Sequence, residues 1–244
     1  MEQARIILKF IPIIIGFALK RIPFYFEKKN SDVKTIRRRA HQITKQHSND
    51  ILRITKTKLN VAGQENIPTD SPVIYLGNHQ SYFDVLAMQS VTRRPTLFIG
   101  KKELLKLPLY SSWMKDMGAL FLDREDPREA IKLFNEAAQK MHDEDMDGLI
   151  YPEGTRSRSS QVHEFQRGSF KLAEKAKCPI VPVMIEGAYR VLEEDNKLKA
   201  NQTIYLRFLP PIYMDQLTKE EAKVIHKTVR AQIEAEIEKI HQKS

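Results

Sequence analysis

The residues best suited to chemistry are a histidine and an aspartate five positions apart, His79 and Asp84. They follow an apolar run at residues 73–76, where a strand would end and a helix begin. Histidine has an unperturbed pKa near neutrality and can take up and return a proton. A nearby carboxylate can fix its tautomer and stabilise the imidazolium. The pair could form a general base, but Ser81 and Asp84 also fit a helix-capping box that needs no catalytic role.

A second polar segment, Glu153-Gly154-Thr155-Arg156, follows another apolar run. A glycine lets the backbone approach a ligand closely, and an arginine guanidinium can bind a phosphate through two hydrogen bonds. The segment therefore predicts an anion site. The alternative is a polar turn in which Arg156 pairs with Glu153.

Short β-rich runs alternate with helical stretches from residue 59 onward. Strands are predicted near residues 59–62, 73–76, 97–99, 119–122, 149–151, 180–185 and 204–208, and helices near residues 83–91, 110–117, 127–142, 170–176 and 218–241. This order predicts an α/β domain with a single, largely parallel mixed sheet flanked by helices. Ligands bind such sheets at the carboxyl ends of the strands, where both polar segments fall. Pro182 favours an edge strand or a bulge for residues 180–185.

Positive charge is concentrated at the N-terminus of the 244-residue chain. Residues 1–60 hold 14 Lys and Arg against 4 Asp and Glu, whereas the rest holds 26 against 27. This asymmetry predicts an anionic partner for the N-terminal part alone. The one cysteine, Cys178, excludes an internal disulfide and fits a small buried residue.

The N-terminal part is also strongly apolar, which favours lipid over nucleic acid as its partner. Its longest uncharged run, residues 10–19, is too short to span a bilayer and indicates an interfacial helix. Lys20, Arg21, Lys28 and Lys29 would then face the headgroups. Pro23 is expected to end or kink this helix, and a second, basic helix is predicted over residues 33–52. Residues 1–58 thus form a membrane-associating helical hairpin and residues 59–244 the α/β domain; alternatively, the hairpin packs on that domain.

Four motifs in order resemble those of the glycerolipid acyltransferase family, and most closely of the 1-acyl-sn-glycerol-3-phosphate acyltransferases. The resemblance covers residues 60–211. Its motifs are Asn-His-x4-Asp (Asn78, His79 and Asp84), an acid–arginine pair after an apolar strand (Asp123 and Arg124), Glu-Gly-Thr-Arg (Glu153 to Arg156, with Phe165 and Gly168 downstream) and an apolar strand around Pro182.

The resemblance implies transfer of an acyl group from acyl-CoA or acyl carrier protein to the sn-2 hydroxyl of 1-acyl-sn-glycerol-3-phosphate, which gives phosphatidic acid. His79 would be the general base and Asp84 its orienting partner. Acceptor binding would fall to the remaining motif residues: Asn78, Glu153, Gly154, Thr155 and Arg156, with Arg124 as a weaker phosphate contact.

No cofactor and no nucleic acid partner are expected. A metal ion is not expected either, because His79 and Asp84 alone supply too few ligands for one. The expected location is the cytoplasmic face of the cell membrane, with peripheral or monotopic attachment. Two alternatives stay open: an acyltransferase for another lysophospholipid or lipid acceptor, and a non-catalytic basic membrane-binding module. The sequence leaves the acyl donor and the oligomeric state undetermined.

Overall fold

The computed structural model describes residues 2–122 and 127–242. All the predicted strands and helices are present, with small shifts at their ends. The strands are β1 (Lys58–Ala62), β2 (Ile74–Gly77), β3 (Thr96–Lys101), β4 (Leu120–Leu122), β5 (Asp147–Ile150), β6 (Ile180–Glu186) and β7 (Thr203–Phe208). The α-helices are α1 (Glu2–Leu19), α2 (Arg21–Lys29), α3 (Val33–Ile54), α4 (Tyr82–Val91), α5 (Pro108–Asp116), α6 (Pro127–Asp143), α7 (Lys171–Ala176), α8 (Tyr189–Leu192) and α9 (Lys219–His241).

The strands form one seven-stranded sheet in the order β1-β7-β6-β2-β5-β3-β4. The five strands from β6 to β4 are mutually parallel, and β7 pairs antiparallel with β6 and parallel with β1. The largely parallel sheet predicted from the sequence is therefore confirmed. The carboxyl ends of β2, β5 and β6 lie side by side, so the segments that follow these strands meet at one edge of the sheet.

Helices cover both faces of the sheet. Tyr75 of β2 joins an apolar cluster with residues of α3, α4 and α5, whereas its neighbours Ile74 and Leu76 join a second cluster with residues of α6, α7 and α9. Side chains alternate between the faces of a strand, so burial on both sides requires a nearly continuous apolar run. This is why the central strands are so apolar in sequence.

Pro182 lies in a central strand, so the expectation of an edge strand was wrong. It pairs with Leu76 of β2 on one side of β6. On the other side the β6–β7 ladder begins only at Val183, and the Pro182 carbonyl accepts a hydrogen bond from Leu209, just after β7 ends. The missing N–H therefore falls outside the ladder, where no strand bond is lost.

The N-terminal helices differ in detail from the prediction. The first helix is interrupted at Lys20, three residues before Pro23, and Pro23 lies in the first turn of α2. A proline has no N–H to donate to the carbonyl four residues earlier and clashes with it. The N–H groups in the first turn of a helix have no partner within the helix, so a proline is tolerated there. The chain therefore interrupts the helix before Pro23 and begins α2 with Pro23 in its first turn. No helix within the described residues is both long enough and apolar enough to cross a membrane.

The helices α1 and α2 pack on the domain through one face. Phe17 and Phe24 are buried against the ring of Trp113 in α5, with centroid distances of 5.3 and 4.9 Å. The buried carboxylate of Asp116 binds Arg21 at 2.6 Å and Lys28 at 2.5 Å. Two of the four cations expected at lipid headgroups are therefore committed to a contact within the protein.

A buried carboxylate lies at the opposite edge of the sheet from the motifs. Asp147, at the start of β5, accepts hydrogen bonds from the Val73 N–H (3.0 Å) and the Tyr75 hydroxyl (3.1 Å). Burial raises the pKa of Asp147 from its usual 3.8 to about 6. The folded state thus holds this proton more tightly than the unfolded state, so the stability linked to it is complete below pH 3.8 and is lost as pH rises through about 6.

The substitution Asp147→Asn is expected to remove this pH dependence. Relative to the variant, the wild-type free energy of unfolding should fall by about 1–1.5 kcal/mol between pH 5 and pH 8, because the buried group ionises. Urea unfolding at several pH values measures the difference. The exposed Asp143→Asn change should follow the wild-type curve, and parallel curves for wild type and Asp147→Asn would refute the assignment.

Candidate active site

His79 and Asp84 meet at the start of α4, directly after β2. The Nδ1 atom of His79 lies 2.7 Å from Oδ2 of Asp84. The same Oδ2 accepts hydrogen bonds from the backbone N–H groups of Gln80 (2.6 Å) and Ser81 (2.8 Å). Ser81 in turn accepts from the Phe83 N–H, which completes a capping box. The two interpretations of this segment are thus compatible: one carboxylate both caps the helix and orients the imidazole.

Asp84 is shielded from solvent, and His79 is partly open to it. The Asp84 side chain has no exposed surface, whereas that of His79 is 17% exposed. Burial raises the pKa of Asp84, and the hydrogen bond from His79 and the two backbone N–H groups oppose this rise. Because Nδ1 is bound to Asp84, Nε2 is the ring atom left to face a substrate.

Tyr151 fixes the plane of the imidazole. Its ring stacks on that of His79 with centroids 4.1 Å apart and an angle of 11° between the planes. Burial raises the pKa of Tyr151 well above its usual value, so its hydroxyl stays neutral. The sequence provided no separate signal for this contact, because Tyr151 was predicted only as the last residue of an apolar strand.

The segment from Glu153 to Ser157 holds the backbone of His79 on both sides. The Glu153 carboxylate accepts the His79 N–H at 2.6 Å and the His163 N–H at 2.9 Å. The Ser157 N–H donates to the His79 carbonyl at 2.8 Å. Gly154 between them has φ of +73°, a conformation that favours glycine. Burial raises the pKa of Glu153 to about 7.

Asn78 faces the interior of the domain. Its side-chain oxygen accepts from the Ile185 N–H, and its amide donates to the Ile185 carbonyl, both at 2.8 Å. These two bonds join the end of β2 to the end of β6. The carboxamide thus binds the protein backbone, and the acceptor-binding role that the resemblance implied for Asn78 stays a prediction.

Arg156 lies between an aromatic ring and a carboxylate. Its guanidinium carbon is 3.6 Å from the centroid of Tyr82, and NH1 binds Oε1 of Glu193 at 3.0 Å. The alternative Arg156–Glu153 pair is not formed: Arg156 pairs with Glu193, and the two Glu153 oxygens accept backbone N–H groups. Thr155, next to Arg156, is exposed. Glu193 was missed because it lies 37 residues from Arg156 and belongs to none of the motifs.

The structure thus brings His79, Asp84, Glu153 and Arg156 together at the carboxyl edge of the sheet. Asp123 and Arg124, the acid–arginine pair, lie outside the described residues. Within the described residues, no group of three or more His, Cys, Asp or Glu side chains could hold a metal ion.

Comparison with known proteins defines the class to which this fold and site belong. Residues 58–186 match the family model described as Acyltransferase. The solved structure of the 1-acyl-sn-glycerophosphate (LPA) acyltransferase PlsC from Thermotoga maritima superposes with a TM-score of 0.83 at 23% identity, over 98% of this chain and 96% of that one. The chain has the same fold.

Two curated relatives are more similar in sequence. The 1-acyl-sn-glycerol-3-phosphate acyltransferase of Borreliella burgdorferi is 30% identical over 75% of this chain and 73% of its own length. The human 1-acyl-sn-glycerol-3-phosphate acyltransferase alpha is 30% identical over 71% of this chain, and the match spans 61% of the human protein. This chain belongs to the acyltransferase family.

The substitution Asn78→Ala is expected to destabilise the fold. It would leave the buried N–H and carbonyl of Ile185 without their partners, which should cost about 2–4 kcal/mol of the free energy of unfolding. Urea unfolding provides the measurement, with the exposed Asn135→Ala variant as the control. An unchanged unfolding midpoint would show that Asn78 does not join the two strands.

Proposed function

We propose that the protein transfers an acyl group from an acyl thioester to the sn-2 hydroxyl of 1-acyl-sn-glycerol-3-phosphate, giving phosphatidic acid. The observation that carries this proposal is the His79–Asp84 contact at 2.7 Å, held at the same sheet edge as Arg156. The reaction needs a base for a hydroxyl group and a cation for a phosphate, and this edge supplies both. The names of the relatives support the same acceptor.

In this reaction His79 acts as the general base. Its Nε2 takes the proton of the acceptor hydroxyl as the hydroxyl oxygen attacks the thioester carbonyl. The tetrahedral intermediate then collapses and expels the thiolate, which receives the proton from the imidazolium. The buried Asp84 keeps the imidazole in the required tautomer and stabilises its positive charge. Acyl-CoA and acyl carrier protein are both suitable donors.

Arg156 would bind the phosphate of the acceptor. A guanidinium has five N–H donors, and only one of them is used by Glu193 here. The Arg156 side chain is 20% exposed, so part of it can be reached from solvent. We assign Glu153 and Gly154 an indirect part in binding: the Glu153 carboxylate holds the His79 backbone, and Gly154 provides the turn that leads to Arg156.

The substitution His79→Ala should lower kcat by about 10²–10⁴-fold, because the proton transfer loses its base. Asp84→Asn should lower it as well, since the imidazole loses its anionic partner. The measurement is thiol release from a long-chain acyl thioester, with the lipid product identified by mass. The His226→Ala change on α9, whose ring lies against Phe170 on the other face of the sheet, is the matched control.

Near-normal turnover by purified His79→Ala protein would contradict the mechanism. Wild-type protein that releases no thiol with any lysophospholipid would contradict acyl transfer altogether and favour a non-catalytic membrane-binding module. A lysophospholipid with a larger headgroup, tested beside lysophosphatidic acid, identifies the acceptor.

We also propose that α1 and α2 attach the protein peripherally to the cytoplasmic face of the membrane. Beside the buried Phe17 and Phe24, these helices carry a second apolar stripe with helical spacing. Its members are each at least half exposed: Leu8, Ile11, Ile15, Leu19, Ile22 and Phe26. Large apolar side chains aligned along one face are typical of an interfacial helix. One face thus packs on the domain, and the other is free to enter the lipid.

The double substitution Ile11→Ser/Ile15→Ser should weaken binding to lipid vesicles by about tenfold or more, because each isoleucine loses its transfer into an apolar phase. Co-sedimentation with vesicles that contain phosphatidylglycerol measures it. The exposed apolar residues Ile131 and Val224, on α6 and α9, provide the control pair Ile131→Ser/Val224→Ser. Equal binding by both double variants would place the lipid contact elsewhere.

A further inference from the structure

Glu193 is a buried carboxylate that none of the sequence motifs contains. It follows the short helix α8, and its side chain is only 3% exposed. A buried carboxylate is costly unless donors compensate it. Glu193 has three such donors, and all of them come from the two segments that form the candidate active site.

Two of these donors belong to the N-terminus of α4. Oε2 accepts from the Ser81 hydroxyl at 2.5 Å, and Oε1 accepts from the Tyr82 N–H at 3.0 Å. The third donor is Arg156, also on Oε1. One carboxylate therefore connects the helix that carries Asp84 to the arginine that follows β5.

The environment of Arg156 shows what this connection does. The guanidinium face lies over the ring of Tyr82, and one of its N–H donors is bound to Glu193. A long arginine side chain loses considerable rotational freedom when it is fixed in this way. A contact that orders Arg156 before the ligand arrives removes that cost from binding.

We propose that Glu193 is a positioning residue that orients Arg156 for the phosphate of the acyl acceptor. This inference rests on the proposed function, in which Arg156 binds that phosphate. Glu193 does not touch the substrate; it acts through Arg156. Removal of its charge should therefore weaken the binding of the acceptor and leave the binding of the acyl donor unchanged.

The test is the isosteric change Glu193→Gln. The amide oxygen can still accept from Tyr82 and Arg156, and the amide nitrogen can face the Ser81 hydroxyl, so the shape of the site is kept. The guanidinium of Arg156 keeps its charge, but its partner is now a neutral oxygen, so the attraction between two opposite charges is lost and the contact is weakened. The KM for lysophosphatidic acid should rise about five- to tenfold. The KM for the acyl thioester and the thermal midpoint should stay close to wild type.

The matched control is Glu194→Gln, the next residue, which is exposed and pairs with Lys199. It should leave both KM values unchanged. The variant Tyr82→Leu removes the ring beneath the same guanidinium at an exposed position and should also raise the KM for lysophosphatidic acid. It extends the test should Glu193→Gln prove unstable.

The outcomes separate this inference from the proposed function. A wild-type enzyme that does not acylate lysophosphatidic acid refutes the proposed function itself. A wild-type enzyme that does so, with an unchanged acceptor KM in Glu193→Gln, refutes only the role of Glu193. Where that variant is unstable, an unchanged acceptor KM in Tyr82→Leu refutes the premise that the ordering of Arg156 affects acceptor binding, and the role of Glu193 falls with it. Equal rises in both KM values with a lowered thermal midpoint would show that Glu193 merely supports the fold.

Discussion

The hydrogen bond between His79 and Asp84 requires a buried carboxylate, and the start of α4 is a place where such a carboxylate can be stabilised. A carboxylate without exposed surface needs several donors, and the residues just before α4 provide them through the N–H groups of Gln80 and Ser81. The positive end of the helix dipole favours the same charge. Helix capping and orientation of the imidazole are therefore one interaction, and the remaining contacts of the site keep the His79 backbone and ring in place around it.

Three buried glutamates connect the loops at this edge of the sheet. Glu153 binds the backbone of His79, and Glu193 binds Ser81, Tyr82 and Arg156. Glu186, at the end of β6, accepts from Gln80 and Ser160 and lies 3.2 Å from His241 in the last turn of α9. Because loops are less constrained than strands and helices, such buried polar links are an effective means to hold several of them in one geometry.

The N-terminal helices show how packing on the domain and membrane contact can coexist. A helix with apolar residues on two faces can bury one of them against the protein and leave the other exposed. Phe17 and Phe24 belong to the first face, and the exposed stripe from Leu8 to Phe26 belongs to the second. Asp116 ties α2 to the domain through Arg21 and Lys28, and the buried Phe17 ring holds α1 against Trp113.

The sequence by itself determined the element order, the parallel sheet and the edge at which the site forms, because apolar runs of strand length and polar segments after them are local signals. The sequence also indicated His79, Asp84 and Arg156 as candidate site residues through their types and spacing. Only the tertiary structure decided their partners. The contacts of Glu193 and the bonds between Asn78 and Ile185 join segments that are 37 to 112 residues apart. Tyr151 meets His79 across the ends of two neighbouring strands. That a central strand tolerates Pro182 likewise depends on where β7 ends. Contacts between segments distant in the chain leave no periodic trace in the sequence, since they arise only when the sheet brings the strand ends together.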